Sequence, residues 1–293
     1  MRLFGGAALR AVMAIVCAGS ASAGPIIIGG DDLTDHGSRS AAGVNLEGWL
    51  YIQNAIASLN GSVTRTGPFT TDIAALGSAS TGASYPSSNA GAAIGSVANV
   101  LGLTVNYYDG ATAITSFFNA LAGGTANPRI IWLAGNEATN DLDSTEGGVL
   151  TAQAAAINAF VGSGGGVLAH GAADSVAQGW LTTLLPGIVL SAACSASPGG
   201  TLTAAGQALF PGITNDDINS GPCHGTYSGN FGGLVALALD SEDRPFIIGG
   251  NATGGSVTDP GTPPSGDVPE PSTFALLGTG LVAAGLWRGS RRR

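Results

Sequence analysis

Asp31, Asp32 and His36 follow the apolar run Pro25-Ile-Ile-Ile-Gly-Gly30, and His170 ends the run Gly166-Val-Leu-Ala-His170. These are the residues in the chain best suited to chemistry. A carboxylate pair beside an imidazole can do general acid–base work, because histidine changes charge near neutral pH. With Asp35, the same set can offer oxygen and nitrogen ligands to a divalent cation. The structural alternative is that Asp31-Asp32 only opens a turn after a strand. His170 has two readings as well: an acid, base or metal ligand, or a cap on the helix that follows. Asp174 suits the N-cap of a helix over 175–185.

Two other clusters need a reading. Asp141-Leu-Asp-Ser-Thr-Glu-Gly147 imitates the start of a calcium loop, but its glycine falls at the seventh position and Ala152 stands at the twelfth. An EF-hand loop needs glycine at the sixth position and a bidentate acid at the twelfth. The acidic residues are better read as favouring the N-terminus of the next helix. Glu137, in the same loop, follows a strand and can face the same edge as His170.

The ends of the chain are addresses. Arg2 and Arg10 flank an apolar stretch reaching Val16, and Ala21-Ser-Ala23 supplies small residues for cleavage, so 1–23 reads as a secretory signal peptide. Cys17 is not a lipoprotein cysteine, because bulky Val16 precedes it. At the other end stand Pro269-Glu-Pro271, an uncharged run from Phe274 to Trp287, and Arg288, Arg291, Arg292 and Arg293. Residues 272–287 read as a transmembrane helix with the arginines on the cytoplasmic side.

Both basic segments are targeting segments, and this changes the charge of what is exported. From residue 24 through Glu270, four arginines, no lysine and nineteen acidic residues leave a balance of −15. Such a surface disfavours nucleic acid and anionic lipid, and suits cations or neutral glycans. Export to an oxidising compartment makes Cys194 and Cys223 a disulfide pair, worth roughly 3.5 kcal/mol in the chain-entropy model. The rival is a nucleophilic pair of Cys223 with His224, although adjacent residues rarely orient correctly for that.

The elements that must position these groups alternate. The run 25–30 reads as a buried strand, 47–59 as a helix, 89–101 as a helix and 103–108 as a strand. Next come a helix over 113–121 with apolar residues at i, i+3, i+4 and i+7, a strand at 129–133, a helix over 148–161 and a strand at 166–170. The Ser-, Thr-, Gly- and Pro-rich residues 62–88 read as a long surface excursion. Two late runs, 234–239 and 245–248, joined by Asp240-Ser-Glu-Asp-Arg244, read as a hairpin closing the sheet's edge. The expected fold is α/β: a three-layer, mostly parallel sheet with helices on both faces, plus the C-terminal transmembrane helix. The expected organisation is a domain over 24–250, a flexible linker over 251–267 and the ending at 268–293.

Two resemblances add to this. Box, apolar run and arginines, in that order over 268–293, resemble the PEP-CTERM sorting signal. That resemblance implies recognition and cutting by an exosortase, with the membrane engaged through 272–287 before processing and an association with exopolysaccharide. It also implies export through the inner membrane, anchoring by the C-terminal helix, and then a surface or extracellular location. The segment from Leu150 through Gly164-Gly-Gly166 to His170 resembles class I glutamine-amidotransferase-like domains, nearest the ThuA-like branch. The first strand, 204–213 and the closing hairpin fit in outline, implying a flavodoxin-like sheet. Amidotransferases place a nucleophilic cysteine after this strand, where the chain reads Ala169-His170-Gly171. The resemblance therefore implies no glutamine hydrolysis.

The resulting expectation is an exported surface or matrix protein that is non-catalytic and binds glycan. No cofactor is expected, and a divalent cation is the candidate ligand. One alternative is a ThuA-like carbohydrate-active enzyme using His170, Asp31, Asp32 and His36. A further alternative is a calcium-dependent adhesin.

Overall fold

A strand buried at every residue must be covered on both faces, and this holds for β1 (Pro25–Gly29). The computed structural model describes residues 23–80, 89–135, 141–171, 178–191, 199–219, 224–253 and 256–258. After β1 come β2 (Gly37–Arg39), β3 (Asn45–Glu47) and α1 (Gly48–Ser62). Strand and helix then alternate through β4 (Thr71–Leu76), α2 (Ala90–Leu101), β5 (Val105–Tyr108), α3 (Ala111–Ala122) and β6 (Pro128–Leu133). Helices α4 (Ser144–Ala152) and α5 (Ala154–Gly162), broken at Gln153 where one helix was expected, lead into β7 (Gly166–His170). Like β1, β7 is buried throughout. The remainder comprises α6 (Leu181–Leu184), β8 (Ile188–Ser191), β9 (Thr201–Leu202), α7 (Ala204–Leu209), α8 (Asn215–Ile218), β10 (Thr226–Gly229), β11 (Val235–Leu239), β12 (Pro245–Thr253) and β13 (Ser256–Thr258).

The main sheet runs β5-β4-β6-β7-β1-β12-β11-β9, with β13 beside β12. The first five are mutually parallel, while β12, β11, β9 and β13 pair antiparallel. The sheet is therefore mixed, correcting the expectation of a mostly parallel one. The hairpin β11–β12 forms as expected, but β12 adds to β1 and carries the sheet onward instead of closing it. The other correction is β4. It lies inside the expected surface excursion, yet Ile73 to Leu76 are fully buried between β5 and β6.

With β4 counted first, the parallel row reads 2-1-3-4-5, the flavodoxin-like order, except that its fifth strand comes first in the chain. Helix α1 makes this possible by leaving β1 and packing across β7 and β6 before the chain enters β4.

No helix among the described residues is long and apolar enough to cross a membrane. The expected transmembrane helix over 272–287 is corrected accordingly. Sixteen residues at ~1.5 Å each give about 24 Å, short of a ~30 Å hydrocarbon core. Those residues lie outside the described ones, as do 1–22.

Asn251 pairs with Pro25, and β13 folds back to bring Thr258 beside Asn251. The described chain thus enters and leaves at the amino ends of the parallel strands. The candidate chemistry lies at their carboxyl ends.

Candidate functional site

Gly29 and His170 are register partners at the ends of β1 and β7, so the loop after Gly29 begins beside the imidazole. An Asx turn forms there, Leu33 N–H donating to Asp31 Oδ1 at 3.1 Å. The same oxygen accepts from His170 Nδ1 at 2.7 Å, and both side chains are fully buried. With Nδ1 donating, the neutral ring presents its lone pair at Nε2. Gly29 is glycine for a reason of space: a Cβ there would overlap Asp31 Oδ2.

Aromatic rings fix the imidazole. Tyr51, from the first turn of α1, and Trp132, from β6, meet it edge-on with centroids 6.3 and 5.9 Å away. Phe210 packs edge-on against Tyr51 at 5.3 Å. Gln178 donates to Gly29 O at 3.1 Å and accepts from Tyr227 O–H at 2.7 Å, joining β10 to the end of β1. Asp31 Oδ2, His170 Nε2 and the Tyr51 hydroxyl are buried and find no hydrogen-bond partner among the described residues. Native interiors satisfy nearly all such atoms, so these three carry unmet hydrogen-bonding capacity at the end of β1.

Asp32 serves the other side of β1. Its Oδ2 lies 3.1 Å from His36 Nε2, and its Oδ1 3.5 Å from His224 Nε2. His224 stacks on Phe246 of β12 at 4.6 Å and 10°. Gly225 N–H donates to Gly30 O, and Gly30 N–H donates to Phe246 O at 2.7 Å, which holds the 224–225 segment against the loop.

Burial holds both His36 and His224 below the ordinary imidazole value. Glu47 opposes the shift at His36; at His224 Asp31 opposes it and His36 adds to it. Burial, with the charge of Asp31 adding to it, raises Tyr51 and Tyr227 well above the ordinary phenol value, the Gln178 hydrogen bond opposing this at Tyr227.

The structure pairs His170 with Asp31 and His36 with Asp32, so the four site residues read from the sequence stand as two aspartate–histidine pairs at the end of β1. Sequence reasoning missed His224, which it weighed only as a partner for Cys223. The available signal was that His224 is the third of only three histidines in the chain. Tyr51, Gln178 and Tyr227 left no sequence signal.

Among the described residues, no group of three or more His, Cys, Asp or Glu side chains is arranged to hold a metal ion. The acidic stretch 141–147 is helix-capping. Glu146 N–H donates to Asp143 Oδ1 at 2.8 Å, and Asp143 N–H and Gly110 N–H donate to the Glu146 carboxylate, both at 2.7 Å. Cys194, Cys223, Glu137, Asp174 and the box Pro269, Glu270, Pro271 lie outside the described residues.

A family model described as the PEP-CTERM protein-sorting motif matches residues 267–293. No curated protein and no solved structure matches the chain. The motif marks an exported protein sorted to the cell surface by an exosortase.

Proposed function

We propose that the exported domain is a carbohydrate-active enzyme of the ThuA-like kind, with His170 as general base and Asp31 holding its tautomer and orientation. One observation carries this reading. All three histidines of a 293-residue chain stand on two consecutive aspartates at the carboxyl edge of the sheet. Open α/β sheets bind their ligands at that edge. A sugar hydroxyl can both donate and accept, which suits the unpaired Asp31 Oδ2, His170 Nε2 and Tyr51 hydroxyl. The −15 balance of the exported region favours a neutral glycan over a polyanion.

The complete burial of Asp31 and His170 favours a second reading, a non-catalytic, glycan-binding surface or matrix component in which the pair only braces β1 against β7. The full-length protein incubated with neutral exopolysaccharide separates the two. Release of new reducing or unsaturated ends, reduced roughly 10²- to 10⁴-fold in His170→Gln, supports catalysis. Co-sedimentation with polymer, no new ends and no effect of His170→Gln would leave the binding reading.

A further inference from the structure

We propose that Asp32 joins His36 and His224 into a proton path between solvent and the site, and that His224 is the site's second acid–base group. This rests on the acid–base reading of the Asp31–His170 pair.

The two ends of the path differ in exposure. The side chain of His36 is 32% exposed, that of His224 9% and that of Asp32 4%. One carboxylate thus lies between an imidazole open to water and an imidazole nearly closed to it. The arrangement is built by the backbone: Gly48 N–H donates to His36 O at 3.0 Å, and the Gly225–Gly30–Phe246 hydrogen bonds fix His224 on its ring stack. Because Asp31 and Asp32 are consecutive, β1 ends with one aspartate–histidine pair toward β7 and another toward β12. Catalysis of bond cleavage by proton transfer needs one group to take a proton and another to give one, and this layout supplies both.

The proton step balances within the residues present. His36, protonated by hydronium or a buffer acid in solvent, gives its Nε2 proton to Asp32 Oδ2 and becomes neutral. The resulting carboxyl group turns about Cβ–Cγ and gives that proton to Nε2 of His224, returning to carboxylate. His224 is then an imidazolium able to give one proton to a ligand oxygen. The charges facing this path are Asp31 and His36 toward His224, and Glu47 toward His36. Tyr51 and Tyr227 face Asp31. Burial keeps His224 neutral at rest, ready to be loaded from Asp32.

The three histidines make the test direct. Full-length protein labelled at histidine Cε1 gives three resonances, titrated by nuclear magnetic resonance in wild type, His36→Asn, His224→Gln and Asp32→Asn. The expected result is coupling. His224→Gln moves the His36 midpoint by roughly half a unit or more, and His36→Asn moves that of His224. Asp32→Asn shifts both. His36 is partly exposed, so His36→Asn keeps the readout available even if Asp32→Asn fails to fold. Three midpoints indifferent to one another's removal overturn the path. On neutral exopolysaccharide, His36→Asn should lose about tenfold in rate and regain it with added imidazole buffer, as a proton-exchange route requires. A loss that imidazole does not restore also overturns it. An inactive wild type with coupled titrations sinks the enzyme reading alone.

Discussion

Asp31 and Asp32 are adjacent in sequence yet turn to opposite sides of β1, and that divergence sets the energetics of the site. Asp31 accepts two hydrogen bonds in a fully buried setting, so Asp31→Asn should cost about 1–3 kcal/mol in urea unfolding. Gly29→Ala leaves every polar group in place but pushes a methyl into Asp31 Oδ2. A similar loss, of about 1–3 kcal/mol, is expected with a displaced His170 Cε1 resonance. An unmoved resonance would refute the contact. His36 and His224 have lowered folded-state values, so the unfolded chain binds more protons than the native one as pH falls. Their stabilisation is complete above pH 6.5 and drains as pH falls through that value and the lower folded ones. Thermal midpoints from pH 8 to 5 should fall in wild type and fall less in His224→Gln.

At the scale of elements, the clearest failure of sequence reasoning is β4. Its apolar stretch is only Ile73-Ala-Ala-Leu76, preceded by Asp72 and embedded in turn-forming residues. Nothing local distinguishes that run from a loop. Burial between β5 and β6 is a tertiary fact, and Asp72 is accommodated because it sits at the strand's open end, 3.6 Å from Arg129 and accepting from Thr104 N–H at 2.8 Å. Ile73→Ala should cost about 2–5 kcal/mol. Asp72→Asn should cost about 0.5 kcal/mol or less, since its ion pair is partly exposed. Equal losses would argue against a buried β4. β1 and β7 were legible because doubly buried strands read as continuous apolar runs. The hairpin was legible from its turn residues, and Asp240 accepts from Arg244 N–H as that turn requires. Its place beside β1 was not, because pairing partners leave no mark on a strand's own sequence. His224 was hidden for the same reason, reaching the site only through pairing of the 224–225 segment with Gly30.

For the whole molecule, address and domain are separable. The described fold ends at Thr258, and the sorting motif begins at residue 267. Replacing Pro269, Glu270 and Pro271 by alanine should leave the chain unprocessed, read as an uncut C-terminus by intact mass, while the thermal midpoint stays that of wild type. Normal cutting would remove the box from the sorting signal. Entry beside Pro25 and exit beside Asn251 give the domain a polarity. The described chain ends at one pole, ahead of the sorting motif in sequence, and the aspartate–histidine pairs stand at the other. The two are separated by about 16 Å of β1, five residues at ~3.3 Å each. A cut at the tail therefore leaves the opposite pole untouched.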